Sequence, residues 1–222
     1  MGIHIDTGKL AVRLLGRHLH LTKRDIGKDA VIRKKGIKLS VEVYDIEEAG
    51  RLCILRIKAP LSIMKAETVI ISSNKKDIPL FNADWFSVFG KETQICELYD
   101  IQTSPYPQEK LDEFERIKER DSSIKDTETK PHWYDEILLP CSYHKKGGSS
   151  ERFTDAVLAY LSTYLRQLPE AEECDPVAKQ EKITGFAERL LSEEGPAASF
   201  IKSAVGDELA EKIIVGYMYG NI

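Results

Sequence analysis

Apolar residues recur along this chain with two periods, a short one in the first half and a helical one in the second. Residues 39–46, 51–57, 66–72, 85–89 and 93–101 are apolar or alternating runs rich in Val, Ile, Leu, Trp and Phe, the pattern of strands. Between them stand short turn signals: Glu48-Ala49-Gly50, Ser73-Asn74-Lys75-Lys76 and Gly90-Lys91-Glu92. A parallel crossover takes about a dozen residues or more, so connections this short predict an antiparallel meander of about five strands. One helix precedes it. Asp6 or Thr7 caps it, and Leu10, Ala11, Leu14, Leu15 and His18 share a face.

The second half predicts helices. Residues 107–120 place Leu111, Phe114 and Ile117 inward among charges. Residues 153–168 carry Phe153, Ala156, Val157, Tyr160, Leu161, Tyr164, Leu165 and Leu168 at helical spacing. Asp175-Pro176 opens a helix running to Leu191, Pro196 opens another that ends at Gly206, and Asp207 caps the last. The polar stretch 121–131 has Ile124 as its single large aliphatic residue and reads as a mobile loop or lid. Strands followed by helices predict an α+β layered fold, and neither half covers its own apolar face, so residues 1–222 read as one domain.

Composition narrows the classes. The 222 residues are 42% hydrophobic and 31% charged, enough for an ordinary core. A net charge of −4 excludes a general polyanion binder, so no nucleic-acid partner is expected. Basic residues concentrate between Lys23 and Lys38, either a solvated surface or a docking patch for an acidic protein. Cys53, Cys96, Cys141 and Cys174 form no Cys-x-x-Cys pair, so no metal or cluster site is expected. The N-terminus lacks a basic segment followed by an apolar one, and no apolar run nears 18 residues. The expectation is a cytoplasmic protein with no membrane partner.

No phosphate loop, nucleophile elbow or His-Glu-x-x-His motif is present, and His18 and His20 diverge on a helix. Two neighbourhoods remain. His132 and His144 flank Trp133-Tyr134-Asp135-Glu136 beside the polar loop, either a ligand-lining corner or a surface one. Asp84 lies among Leu80, Phe81, Trp85 and Phe86. If it faces inward, desolvation raises its pKa toward that of a proton donor working near neutrality; strand alternation leaves the outward orientation equally open.

Asp77-Ile78-Pro79-Leu80-Phe81-Asn82-Ala83-Asp84-Trp85, Tyr99-Asp100-Ile101-Gln102 and the stretch 195–221, with its Gly206-Asp207 corner and Tyr217-Met218-Tyr219 end, stand in one order. That order resembles the ferredoxin-dependent bilin reductases and the related red chlorophyll catabolite reductases. Pro79 to Asp84 is similar to that family's Pro-hydrophobic-Phe-Gly-x-Asp motif, with Asn82 in place of glycine. The family's second acid would fall at Gly195, with Glu194 one residue earlier, and Ala197-Ala198-Ser199 stands where it has an arginine. Glu67 is at about the separation of the family's pigment-facing His or Asn on the neighbouring strand.

The resemblance implies a three-layer α/β/α sandwich with a central antiparallel sheet. It implies reduction of a linear tetrapyrrole by single electrons from ferredoxin, with no cofactor bound by the enzyme. Asp84 would donate protons, Glu194 and Glu67 would assist, and Lys145, Lys146, Trp133 and His132 would bind the pigment. Partners are then a tetrapyrrole or another flat apolar molecule, and an acidic ferredoxin-like protein. The alternative is a binding or regulatory protein that keeps the fold without the reaction, or one whose pocket is filled by side chains.

Overall fold

The computed structural model describes residues 6–127, 131–193 and 195–220. Its centre is an eight-stranded antiparallel sheet. The strands are β1 (Leu21–Lys23), β2 (Val31–Lys34), β3 (Ile37–Ile46), β4 (Gly50–Lys58), β5 (Met64–Ser72), β6 (Leu80–Val88), β7 (Lys91–Tyr99) and β8 (Tyr143–Lys146). From β3 to β8 each strand pairs with its sequence neighbour, while β1 and β2 both pair along β3. The five predicted strands are all present. β6 begins five residues earlier than expected, because residues 80–84 are paired with β7 from Leu80↔Tyr99 and with β5 from Phe81↔Ile71; Tyr164 donates to the Pro79 carbonyl (2.8 Å) just before it.

Three strands escaped the sequence reading. β1 is three residues long, too short to show alternation, and β2 lies within the basic stretch, where lysines and arginines hide it. β8 is four residues long, and three of them are His or Lys. Residues 121–127 are not a free lid: Lys146 N donates to the Lys125 carbonyl (2.9 Å) and Thr127 N to the His144 carbonyl (3.1 Å), so this segment covers the β8 edge.

Alternation along the strands feeds two cores, one on each face. On one face Leu52, Ile54, Val69, Ile71, Phe81, Ala83, Cys96 and Leu98 pack against α1 (Thr7–Leu15), α2 (Gln108–Arg120) and α3 (Ser150–Glu170). Asp6 caps α1 by accepting from Lys9 N at 2.8 Å, as expected. The other face presents Leu39, Val41, Val43, Cys53, Leu55 and Ile70 to α4 (Pro176–Ser192), α5 (Pro196–Val205) and α6 (Asp207–Glu211). A π-helical segment, Lys212–Met218, closes this layer. The result is the three-layer arrangement, helices on both faces of an antiparallel sheet. Among the described residues no helix is long and apolar enough to cross a membrane.

Two devices tie the second helical layer to the sheet. Lys179 of α4 is fully buried; its ammonium donates to Asp77 (3.1 Å) and to the Ile78 carbonyl (3.0 Å) just before β6. Asp77 also accepts from the backbone and hydroxyls of Thr103 and Ser104, and these donors, outweighing burial, hold its carboxyl well below the usual range. At the C-terminal end, Arg51 of β4 donates to the carbonyls of Gly216 and Gly220.

Candidate functional site

The second layer does not close fully on the sheet. It leaves a cavity of about 440 Å³, lined mostly by apolar side chains including Leu55, Ile57, Phe86, Leu190, Ile201 and Met218. A pocket filled by side chains is therefore not what the chain forms.

Register supplies the floor. Leu55, Thr68, Asp84, Ile95 and His144 are successive cross-strand partners from β4 to β8, so one straight row crosses five strands on the cavity face. Asn82 and Glu97 are paired in the adjacent same-face row. The polar side chains of the two rows form one network. Thr68 donates to Asp84, and Asn82 Nδ2 donates both to Asp84 Oδ2 (2.6 Å) and to Glu97 Oε2 (3.0 Å). Tyr99 donates to Glu97 Oε2 at 2.6 Å, and His144 Nε2 stands 3.1 Å from Glu97 Oε1. The Asn82 carbonyl oxygen is buried without a hydrogen-bond partner among the described residues.

Asp84 therefore points inward. The cavity leaves part of its surface accessible, but protein surrounds it closely enough that burial, followed by the charge of Glu97, pushes its carboxyl up to about 6. The hydrogen bonds from Thr68 and Asn82 and the proximity of His144 oppose that rise. Glu97, although deeply buried, goes the other way: His144, Tyr99 and Asn82 outweigh desolvation and hold it below its usual value. Two carboxyl groups sharing one amide thus have opposite tendencies, one toward the protonated and one toward the ionised form.

Other expected site residues are placed differently. Glu67 is on the opposite face of the sheet, because it is one residue out of phase with Thr68; its carboxylate accepts from Gly8 N (3.0 Å) and Arg56 (2.7 Å) in a cluster with Asp6 and Glu42. Thr68 is the residue that meets Asp84 across the strands. Lys145 is turned away by the same alternation and pairs with Asp126 (2.7 Å) and the Ile124 carbonyl. Lys146 shares the His144 face but is not in the cavity wall. Trp133 stands behind the wall, against Phe186 and under the Arg189 guanidinium, 4.3 Å from its ring centre. His132 does line the cavity, stacked on Tyr134, with Asp135 beside it. Glu194 lies outside the described residues. Gly195, Ala197 and Ala198 line the cavity, so among the described residues this part of the wall bears no acid or arginine.

The sequence reading missed Glu97 and Thr68. Glu97 alternates with apolar Cys96 and Leu98, a pattern that reads as an outward-facing charge; the structure's register, which pairs it with Asn82, puts it on the cavity face. His144 and Tyr99 were noted without the network that joins them.

The basic stretch is partly consumed by structure. Lys23 pairs with Glu42 (2.6 Å) and Arg24 with Asp45 (2.7 Å), while Lys34 donates to the Val205 carbonyl (2.8 Å) and Lys35 to that of Ser203 (3.3 Å). Arg33 remains exposed on β2.

No family model and no curated protein sequence matches the chain. Among solved structures, the chain is similar to the phytochromobilin synthase from tomato, determined in complex with biliverdin. The TM-score is 0.79 at 13% identity, over 96% of this chain and 84% of that one. The two proteins share a fold, an antiparallel sheet flanked by helices.

Proposed function

We propose that this chain reduces a linear tetrapyrrole or a similar open-chain pigment, taking electrons one at a time from a ferredoxin and protons from its own side chains. The observation that carries this reading is Asp84, an acid with its pKa raised to about 6, facing a largely apolar cavity in a fold shared with a biliverdin-bound protein. Each two-electron reduction consumes two electrons from the donor and two protons. Asp84 delivers a proton to the pigment and is reprotonated from solvent. The unpartnered Asn82 carbonyl oxygen suits a pyrrole or lactam N–H. Exposed Arg33 is where an acidic donor protein would be steered.

Titration with biliverdin, with absorption spectra before and after reduced ferredoxin is added, tests this. A shifted band that bleaches is expected. In Asp84→Asn the shift should persist while bleaching slows by about a hundredfold or more. In the unmodified protein the rate should fall as pH rises through about 6, where Asp84 loses its proton. Bleaching at the normal rate in Asp84→Asn would remove Asp84 from the reaction.

The bare wall at Gly195, Ala197 and Ala198 favours a second reading, a pigment-binding protein that does not turn over. Its signature is a shifted band that persists in the reduced donor. Gly195 has room for a side chain, with Leu190 and Tyr134 no nearer than 3.5 Å to a Cβ built there, so Gly195→Asp should fold and bring bleaching to such a protein.

A further inference from the structure

Three turns meet at one end of the sheet: β2–β3 at Lys35-Gly36, β4–β5 at Pro60-Leu61-Ser62-Ile63, and β6–β7 at Phe89-Gly90. They are in contact. Phe89 N donates to the Ile63 carbonyl (2.9 Å), and a Cβ on Gly36 would come within 2.9 Å of the Pro60 ring. The tips of two of them expose large apolar side chains: Leu61 is 96% exposed and Phe89 79%, with Ile63 and Val88 beside them.

The backbone at both tips is unfavourable. Leu61 (φ 52°) and Phe89 (φ 49°) are in the left-handed region that Gly or Asn occupies at less cost. Bulky apolar residues thus sit where folding favours other residue types and where nothing in the fold covers them. That combination points to a role outside the folded core.

The turns themselves are basic. Lys38, Lys58 and Lys65 are neighbours across β3, β4 and β5, Lys91 pairs with Val88, and Lys35 sits on the β2–β3 turn. Residues 34–36, 58–65 and 88–91 contain no acid. The nearest acid in register, Glu92, lies one residue beyond Lys91 and accepts from the Ser150 hydroxyl (2.9 Å).

We propose that this end of the sheet is a docking surface for an anionic lipid bilayer. Leu61 and Phe89 insert individually at the headgroup level while the lysines pair with lipid phosphates. A fluid interface accepts single protruding side chains on convex tips, whereas a folded partner protein needs a matching hollow for each. The cavity extends toward the same end, since Met64 and Val88 belong to its wall. The expectation of no membrane partner drew on the absence of a spanning run, which does not bear on a peripheral contact. The surface does not depend on what reaction the cavity supports.

Flotation with vesicles of phosphatidylcholine, alone or mixed with phosphatidylglycerol, tests the proposal. The protein should float with the mixed vesicles and stay behind with the neutral ones, and raised salt should release it. The Leu61→Asn/Phe89→Asn pair should lower the bound fraction at least about tenfold. Because Asn tolerates the left-handed backbone, thermal melting should show the double variant as stable as the parent or more so, which separates lost binding from lost folding. Lys58→Glu with Lys65→Glu should also abolish flotation. No flotation with mixed vesicles, or flotation unchanged in the Asn variants, would overturn the proposal. So would the appearance of a dimer by light scattering that the Asn variants dissolve, because the surface would then belong to a second copy of the chain.

Discussion

Protonated in acid and ionised above about pH 6, Asp84 links the cavity's chemistry to the stability of the fold. Its folded pKa lies above the ordinary carboxylate value, so the native chain holds this proton more tightly than the unfolded one. The associated stability is complete below the unfolded pKa and is lost as pH rises through about 6. Asp84→Asn removes that dependence. At pH 8 the variant should be more stable than the parent by up to about 3 kcal/mol, and near pH 3 the difference should vanish. Urea unfolding at the two pH values checks this; an equal change at both would mean that Asp84 is not desolvated. The gain is an upper limit, because the amide must reproduce the hydrogen bonds with Thr68 and Asn82.

At the scale of elements, the Asp77–Lys179 pair joins α4 to the start of β6 and is expected to respond asymmetrically. Asp77→Ala leaves a fully buried ammonium with the Ile78 carbonyl as its remaining partner, at a cost of about 3–5 kcal/mol. Lys179→Met leaves Asp77 with the Thr103 and Ser104 donors and should cost less. The double variant should recover much of the Asp77→Ala loss in denaturant titrations at pH 7; simple additivity would show that the pair does not act as a unit.

The same scale shows what the sequence could reveal. The five central strands and the later helices were legible because burial on both faces makes apolar strand runs and burial on one face gives helices an apolar stripe. β1, β2 and β8 were not, since edge strands are short and polar on their exposed sides. Asp84 was legible from its apolar neighbours, but its direction was not, because phase along a strand is fixed by partners far away in sequence. That also explains Glu67 and Lys145. Each is one position out of phase with a residue in the cavity, Thr68 and His144, and composition does not distinguish the two phases.

Across the whole molecule the two helical layers do different work. The α1–α3 layer seals its face with Phe114, Phe153, Tyr160 and Tyr164, while the α4–α6 layer stands off around the cavity. The second layer therefore has fewer apolar contacts to lose on opening, and its amides should exchange with solvent faster than those of α3. Adding biliverdin should slow exchange in α5 and in Lys212–Met218 and leave α3 unchanged. At a hundredfold excess over Kd it should add about 2.7 kcal/mol to global stability. Uniform protection of both layers would show that they open together.

The π-helical segment sets the cavity wall by arithmetic rather than by chemistry. Its wide turn, with Tyr219 N bonded to the Ile214 carbonyl five residues back, brings Ile214, Met218 and Tyr219 into the wall and delivers Gly220 to Arg51. Deleting Val215 would change no wall residue's identity. It would restore the ordinary count per turn and rotate everything after it by about 100°. Tyr219 would leave the wall and Gly220 its clasp, so in this chain a single supernumerary residue decides what the pocket feels.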